Sequence, residues 1–259
     1  MLYFPQLSSG AISQLPLRRR TGYRTLLNQP LGGSEIRVED ADLFERSWEL
    51  PLDELSDGEW QAIQNLFFAT EGRLKSFLFL EPGENLLAWS QNFTAAAWTA
   101  TGVSVTGGIG DPFGGTAASS LSGAGSITQS LNIPAWLQYA ASIWARTSGP
   151  GAGLQLSDGG SQQQTAGFIS DGQWRRYSLH TAWTTTSETV QFRVAAPGAV
   201  DIYGAQLEAQ PAASAYKKTL AVGGVHPGAR FDSDTLGDRA TGPGRHSSIV
   251  RIAWTPSQT

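Results

Sequence analysis

Cysteine is absent from this sequence, which removes disulfides, thiolate metal sites and a thiol nucleophile at once. Charge is also sparse. Only 15% of the 259 residues are Asp, Glu, Lys or Arg, against about a quarter in an ordinary globular domain. No stretch approaches the ~18 consecutive apolar residues that suggest a membrane-spanning helix, so no membrane insertion is expected. The opening MLYFPQLSSG lacks a basic stretch followed by an apolar one, and no secretory signal is expected there. Histidine is limited to His180, His226 and His246, whose spacings fit no paired metal-ligand pattern. The formal net charge of −4 argues against coating nucleic acid or an anionic membrane.

Glycine (30 residues) and tryptophan (nine) are plentiful, a balance that favours many short strands joined by turns. Charge is spread unevenly. Residues 1–84 hold eight basic and thirteen acidic side chains, residues 85–219 six of each, and residues 220–259 four and three. The charge-poor middle also carries six of the tryptophans, and it reads as a separate domain. In the first segment, LFERSWELPL alternates with the period of a half-buried strand. The period then changes. SDGEWQAIQNLFFATEGRL opens with Ser56 as helix cap and Glu59 three residues on, a capping box. Trp60, Ile63 and Phe67 follow at helical spacing, and Gly72 supplies the stop. The middle segment repeats short strand-like runs, among them LQYAASIWAR, WRRYSLHTAW and VDIYGAQLE, bounded by Gly, Pro, Ser or Asp. That spacing predicts an all-β sandwich, with a jelly roll as its natural form.

ENLLAWSQNFTAAAWTATGVSVT together with VDIYGAQLEAQPAASAYKKT resembles the opening and closing signatures of carbohydrate-binding-module-like jelly rolls found in phage tail proteins. Separately, YRTLLNQPLGGSEIR, the helix segment and the terminal VRIAW resemble the distal-tail or minor-tail family of long-tailed phages and gene transfer agents. The two resemblances imply a mostly β chain in two parts. Residues 1–84 and 220–259 would form a discontinuous tail-tube-like β-barrel or sandwich with one helix, and residues 85–219 an inserted jelly roll. SSIVRIAWTP would return as an edge or closing strand of the first domain. The resemblance further implies a virion tail location and a ring, six-membered in this family, contacting the tail tube protein and tail tip or hub proteins. DNA would pass through its channel without specific binding. The outward jelly roll would be free to meet host-surface glycan.

No catalytic residue, metal or cofactor is expected. The sequence contains neither a G-x-S-x-G elbow nor a G-x-x-x-x-G-K-[ST] loop. GGIGDPFGG lacks a strand-to-helix setting and reads as loop turns. Asp232 and Asp234 are too few for a calcium cage. In PLRRRTGYR, Arg18, Arg19, Arg20 and Arg24 are candidates for an intersubunit contact, weighed against a solvated loop. Trp98, Trp144 and Trp174 fall in segments that match the general pattern of the resembling module and read as core, whereas Trp136 and Trp183 lie outside those segments and are candidates for stacking on a sugar. Three functions follow: a ring-forming tail hub, a host-glycan adhesin whose first domain is only an anchor, and an accessory module of an enzyme.

Overall fold

The computed structural model describes residues 1–29 and 31–256, without the side chains of residues 24 and 39–43. The chain divides into two compact units. The first comprises Met1–Leu7, Ser13–Phe79 and His226–Thr259; the second comprises Ser8–Ile12 and Leu80–Val225. The short stretch Ser8–Ile12, expected in the first part, belongs to the second, with Ile12 only 1% exposed. Gly10 explains the fit: at φ 79 it lies against Gln138 and Pro211 so tightly that a Cβ would meet the Gln138 amide oxygen at 2.5 Å.

In the first unit, β1 (Arg18–Asn28), β2 (Ile36–Ser56), β3 (Phe77–Leu80), β12 (Val225–Phe231) and β14 (Arg245–Trp254) form a sheet in the order β1-β2-β14-β12-β3. The short β13 (Arg239–Gly242) pairs with β14. The terminal strand therefore lies inside the sheet and not at its edge. Val250, Ile252 and Trp254 are buried in alternation, and both sides of β14 find hydrogen-bond partners. Trp48, Leu50 and Leu52 of β2 are likewise buried. The single helix among the described residues, α1 (Asp57–Thr70), starts at the expected capping box: the Glu59 amide donates to Ser56 Oγ, and the Ser56 amide to the Glu59 carboxylate at 2.9 Å. Its buried residues are Trp60, Ile63, Leu66 and Thr70. Phe67, expected on the same face, is half-buried and meets Phe231 edge-on at 5.1 Å.

The second unit carries β4 (Thr99–Ile109), β5 (Ala118–Leu131), β6 (Gln138–Arg146), β7 (Gly153–Ser157), β8 (Gln163–Gly167), β9 (Arg175–Ala182), β10 (Val190–Ala196) and β11 (Val200–Glu208). Their order is β8-β7-β10-β5-β11-β6-β9, with β4 beside β5. β5 joins the two halves: Ser119–Leu121 pair with β11, and Gly125–Leu131 with β10. The bend between them needs glycine, because a Cβ on Gly125 would stand 1.9 Å from the Thr101 carbonyl oxygen. Phe93, Leu121, Tyr139, Ile143, Phe192 and Ile202 fill the interior of a β-sandwich of jelly-roll kind.

The ends of this unit are fastened to each other. Asn85, fully buried, donates to the carbonyls of Ala205 (2.9 Å) and Lys217 (3.0 Å). Its Oδ1 accepts from the amides of Leu87 and Leu207, both at 3.1 Å. Ser90 Oγ accepts from the Thr219 amide at 2.8 Å, and Thr219 Oγ1 donates to the Leu87 carbonyl at 2.6 Å. The opening ENLLAWS and the closing GAQLE…YKKT are therefore two halves of one clasp.

Candidate ligand-binding face of the second unit

Along β6, Gln138, Ser142, Trp144 and Arg146 share one parity, while Tyr139, Ala141, Ile143 and Ala145 share the other and are all fully buried. Trp144 therefore belongs to the polar face, and it is half-buried rather than core. The register sets Tyr203 of β11 opposite it on one side and Arg176 of β9 on the other. Paired residues in antiparallel strands project to the same face, so Tyr203, Trp144 and Arg176 form a row. The Arg176 guanidinium lies 4.6 Å from the centre of the Trp144 ring and donates to Ser142 Oγ (2.8 Å) and the Ser214 carbonyl (2.6 Å). Its buried Nε has no hydrogen-bond partner among the described residues, and burial lowers its pKa.

Two further rings complete the cluster. Tyr216 meets Trp144 at 5.6 Å and Tyr203 at 5.7 Å; burial pushes its phenol up to about 12, and its hydroxyl is 2.8 Å from Ser90 Oγ. The Tyr203 hydroxyl accepts from Gln91 Nε2 at 2.7 Å. Phe113 lies edge-on to Trp144 (5.5 Å) and Tyr203 (5.9 Å) yet remains 69% exposed. A carboxylate fixes the loop that carries it. Asp111 accepts from the amides of Phe113 (2.9 Å), Gly115 (3.0 Å) and Ala117 (3.1 Å), and these bonds, led by that from Phe113, hold its carboxyl below the usual range. Gly115 leaves room for this carboxylate, which a Cβ would approach to 2.5 Å.

The sequence-based candidates lie elsewhere. Trp136 and Trp183 are each half-buried, and neither shares a ring contact with this cluster. Trp98 is buried against Phe93 and Phe192. Trp174 is half-buried beneath the Arg146 guanidinium at 5.0 Å, and Arg146 in turn bonds Asp201 at 2.8 Å. In the first unit, Arg18, Arg19 and Arg20 are exposed on the edge strand β1, where Arg18 approaches Glu49 at 3.7 Å. The Arg24 side chain lies outside the described residues. Phe113 sat in the stretch read as loop turns, and Trp144 in a strand read as core. The alternation of SIWAR, with Trp144 in step with Ser142 and Arg146, was the signal available for the latter. Among the described residues no cluster of three metal-ligating side chains occurs, and no helix is long and apolar enough to cross a membrane.

No protein-family model matches the chain, and no curated protein does. Solved structures similar to part of it include the enzymatically active domain of bacteriophage CBA120 tailspike protein 4, at 16% identity and a TM-score of 0.39. That match covers 48% of this chain and 21% of the tailspike domain, so the chain spans about a fifth of that structure. TmCBM61 in complex with β-1,4-galactotriose matches at 18% identity over 48% of this chain and 97% of its own, with a TM-score of 0.36. The CBM22-1–CBM22-2 tandem domain of Paenibacillus barcinonensis Xyn10C matches at 17% identity over 65% and 61%, with a TM-score of 0.40. The protein is mostly β with one described helix, and its second unit is a jelly-roll sandwich with an aromatic cluster on a polar sheet face.

Proposed function

We propose that this protein is a glycan-binding adhesin of a phage-type tail, in which the second unit recognises sugar and the first serves as its anchor. One observation carries the reading: Phe113, exposed and pinned by Asp111, extends the Trp144–Tyr203 cluster outward on the sheet face that also carries Arg176 and the exposed Ser178. An exposed ring beside hydrogen-bonding side chains suits the apolar face and hydroxyl rim of a pyranose. Binding of the whole protein to an array of host-surface glycans is the test. Phe113→Ala should abolish or strongly weaken it while leaving the melting curve in place, because so exposed a ring contributes little to stability. Array binding unchanged by that substitution would remove the cluster as the site.

A second reading, a ring-forming distal-tail hub joining tail tube to tip, draws on a different observation. Beyond Arg46, where its pairing with β14 stops, β2 pairs only with β1, so the far part of this hairpin is a two-stranded ribbon. Leu26, Ile36 and Val38 share one face of it, and Leu27 points to the other, all exposed. Such a ribbon is marginal in water unless its apolar faces are covered. A second copy, contacted also through Arg18, Arg19 and Arg20, supplies that cover and closes a ring of heterologous contacts. Mass photometry of the protein and of Leu26→Asp/Val38→Asp tests this: rings lost in the double variant support the hub, and a concentration-independent monomer of the unaltered protein removes it.

A further inference from the structure

A second concavity of the sandwich, which adjoins the Phe113 cluster through Gln91 and Ala117 but does not include its rings, has the chemistry of a site. It has a volume of about 380 Å³, within the roughly 300–1,000 Å³ of small-molecule sites, and Trp89 lines it together with Asn92, Thr94, Thr116 and Lys218. Trp89 adopts φ 51, the left-handed region, where a side chain other than glycine is strained. Three hydrogen bonds hold it there. Its amide donates to the Leu220 carbonyl at 2.6 Å, and its carbonyl accepts from the Asn92 amide (3.0 Å) and Trp98 Nε1 (3.1 Å). The backbone that carries this residue at the wall of the cavity is thus fixed.

The polar groups around it are biased towards donors. Asn92 Oδ1 is occupied by the Thr94 amide (3.3 Å) and Thr94 Oγ1 (2.7 Å), which leaves the Asn92 amide nitrogen without a protein partner among the described residues. Lys218 likewise has no partner among them, and it is the only charged side chain of the lining; no Asp or Glu contributes. Gly107 and Gly108 also line the space, and nothing stands within 4 Å of where their Cβ atoms would be. An apolar ring, a lone ammonium, a free amide donor and no carboxylate are complementary to a sugar that carries negative charge.

We propose that this cavity binds a carboxylate-bearing pyranose, a uronic acid or an acidic sugar of the same kind. The sugar's apolar face lies on Trp89, and its carboxylate takes the Lys218 ammonium and the Asn92 amide. The inference rests on the reading of the second unit as glycan-binding and adds a second, charge-selective site to it. Titration calorimetry of the full chain with digalacturonate and with its dimethyl ester provides the test. The acid should bind about tenfold more tightly than the ester, the difference expected of one charge-assisted contact, and added salt should erode that preference. Lys218→Gln should reduce the acid to the affinity of the ester. Trp89→Gly, whose new residue accepts the left-handed backbone, should abolish binding of both without loss of fold. Equal affinity for acid and ester, no binding of either at millimolar concentration, or indifference to Lys218→Gln would each overturn the proposal. The two sites fail separately: array binding that depends on Phe113 without any response to digalacturonate sinks this cavity alone. Digalacturonate binding lost in Lys218→Gln but retained in Phe113→Ala establishes it alone.

Discussion

The two units dispose of their polar and apolar groups differently. The second is closed on itself: Asn85 satisfies four backbone groups, the Gln206 side-chain oxygen accepts from the Lys217 amide at 2.7 Å, and the first and last segments are clasped. The first unit keeps Tyr23, Leu27 and Ile36 exposed on a ribbon with no third strand. Its α1–β14 corner adds charge to the packing of Trp60, with His246 lying between two carboxylates. A sandwich whose ends bond to each other can leave and re-enter a host sheet without borrowing cohesion from it. A ribbon with apolar faces in water gains stability from whatever covers them.

The contrast is broken most severely at the clasp. Asn85→Ala removes four hydrogen bonds and strands buried amides and carbonyls, at a cost of about 5 kcal/mol. Urea melts followed by near-ultraviolet dichroism should show the transition of the second unit lost or moved far down while that of the first stays in place. A single shifted transition for the whole chain would mean that the units do not unfold independently. Trp60→Ala is the counterpart in the first unit. The indole is 4% exposed and stacks on His246 at 5.9 Å, so its truncation should cost about 3–5 kcal/mol. A neutral result in the same melts would show that the helix does not depend on this anchor. Ser56→Ala, which loses one half of the capping box, should cost about 1 kcal/mol and no more.

How much of this was legible in the sequence depended on whether a feature was local. The helix was read from Ser56 and Glu59 because a capping box is complete within four residues; Phe67 packs half-buried on Phe231 as its spacing suggests, and the buried Leu66 beside it was not singled out. The strand runs were legible for the same reason. What was not legible depends on register. Trp144 could be placed on the polar face only by taking its parity with Ser142 and Arg146 seriously, and its partners Tyr203 and Arg176 come from strands 59 and 32 residues away. Phe113 was hidden by its loop, because nothing local reveals that Asp111 folds three amides inward to present the ring. The clasp was visible only as two resembling motifs until Asn85 showed why they occur together.

The smallest expected effect concerns charge in the first unit. His246 Nε2 lies 2.9 Å from Asp57 Oδ1, and Nδ1 lies 2.9 Å from Asp238 Oδ2. These two hydrogen bonds, that to Asp57 first, raise its pKa above the ordinary 6.5 against a smaller opposing effect of desolvation. A raised pKa means that the folded protein holds the proton more firmly than the unfolded chain does. The resulting stability is fully present below the unfolded value and is lost as pH rises through the folded one. The first unit should therefore melt at a somewhat lower temperature at pH 8 than at pH 6. The second unit has no histidine with such partners among its described residues: His180 is exposed, and its transition should move little over that interval. His246→Gln keeps a hydrogen-bonding side chain and removes the titration, so its melting temperature should be flat between pH 6 and pH 8. A first-unit transition that still falls with pH in that variant would place the proton elsewhere and leave the corner held by packing on Trp60 alone.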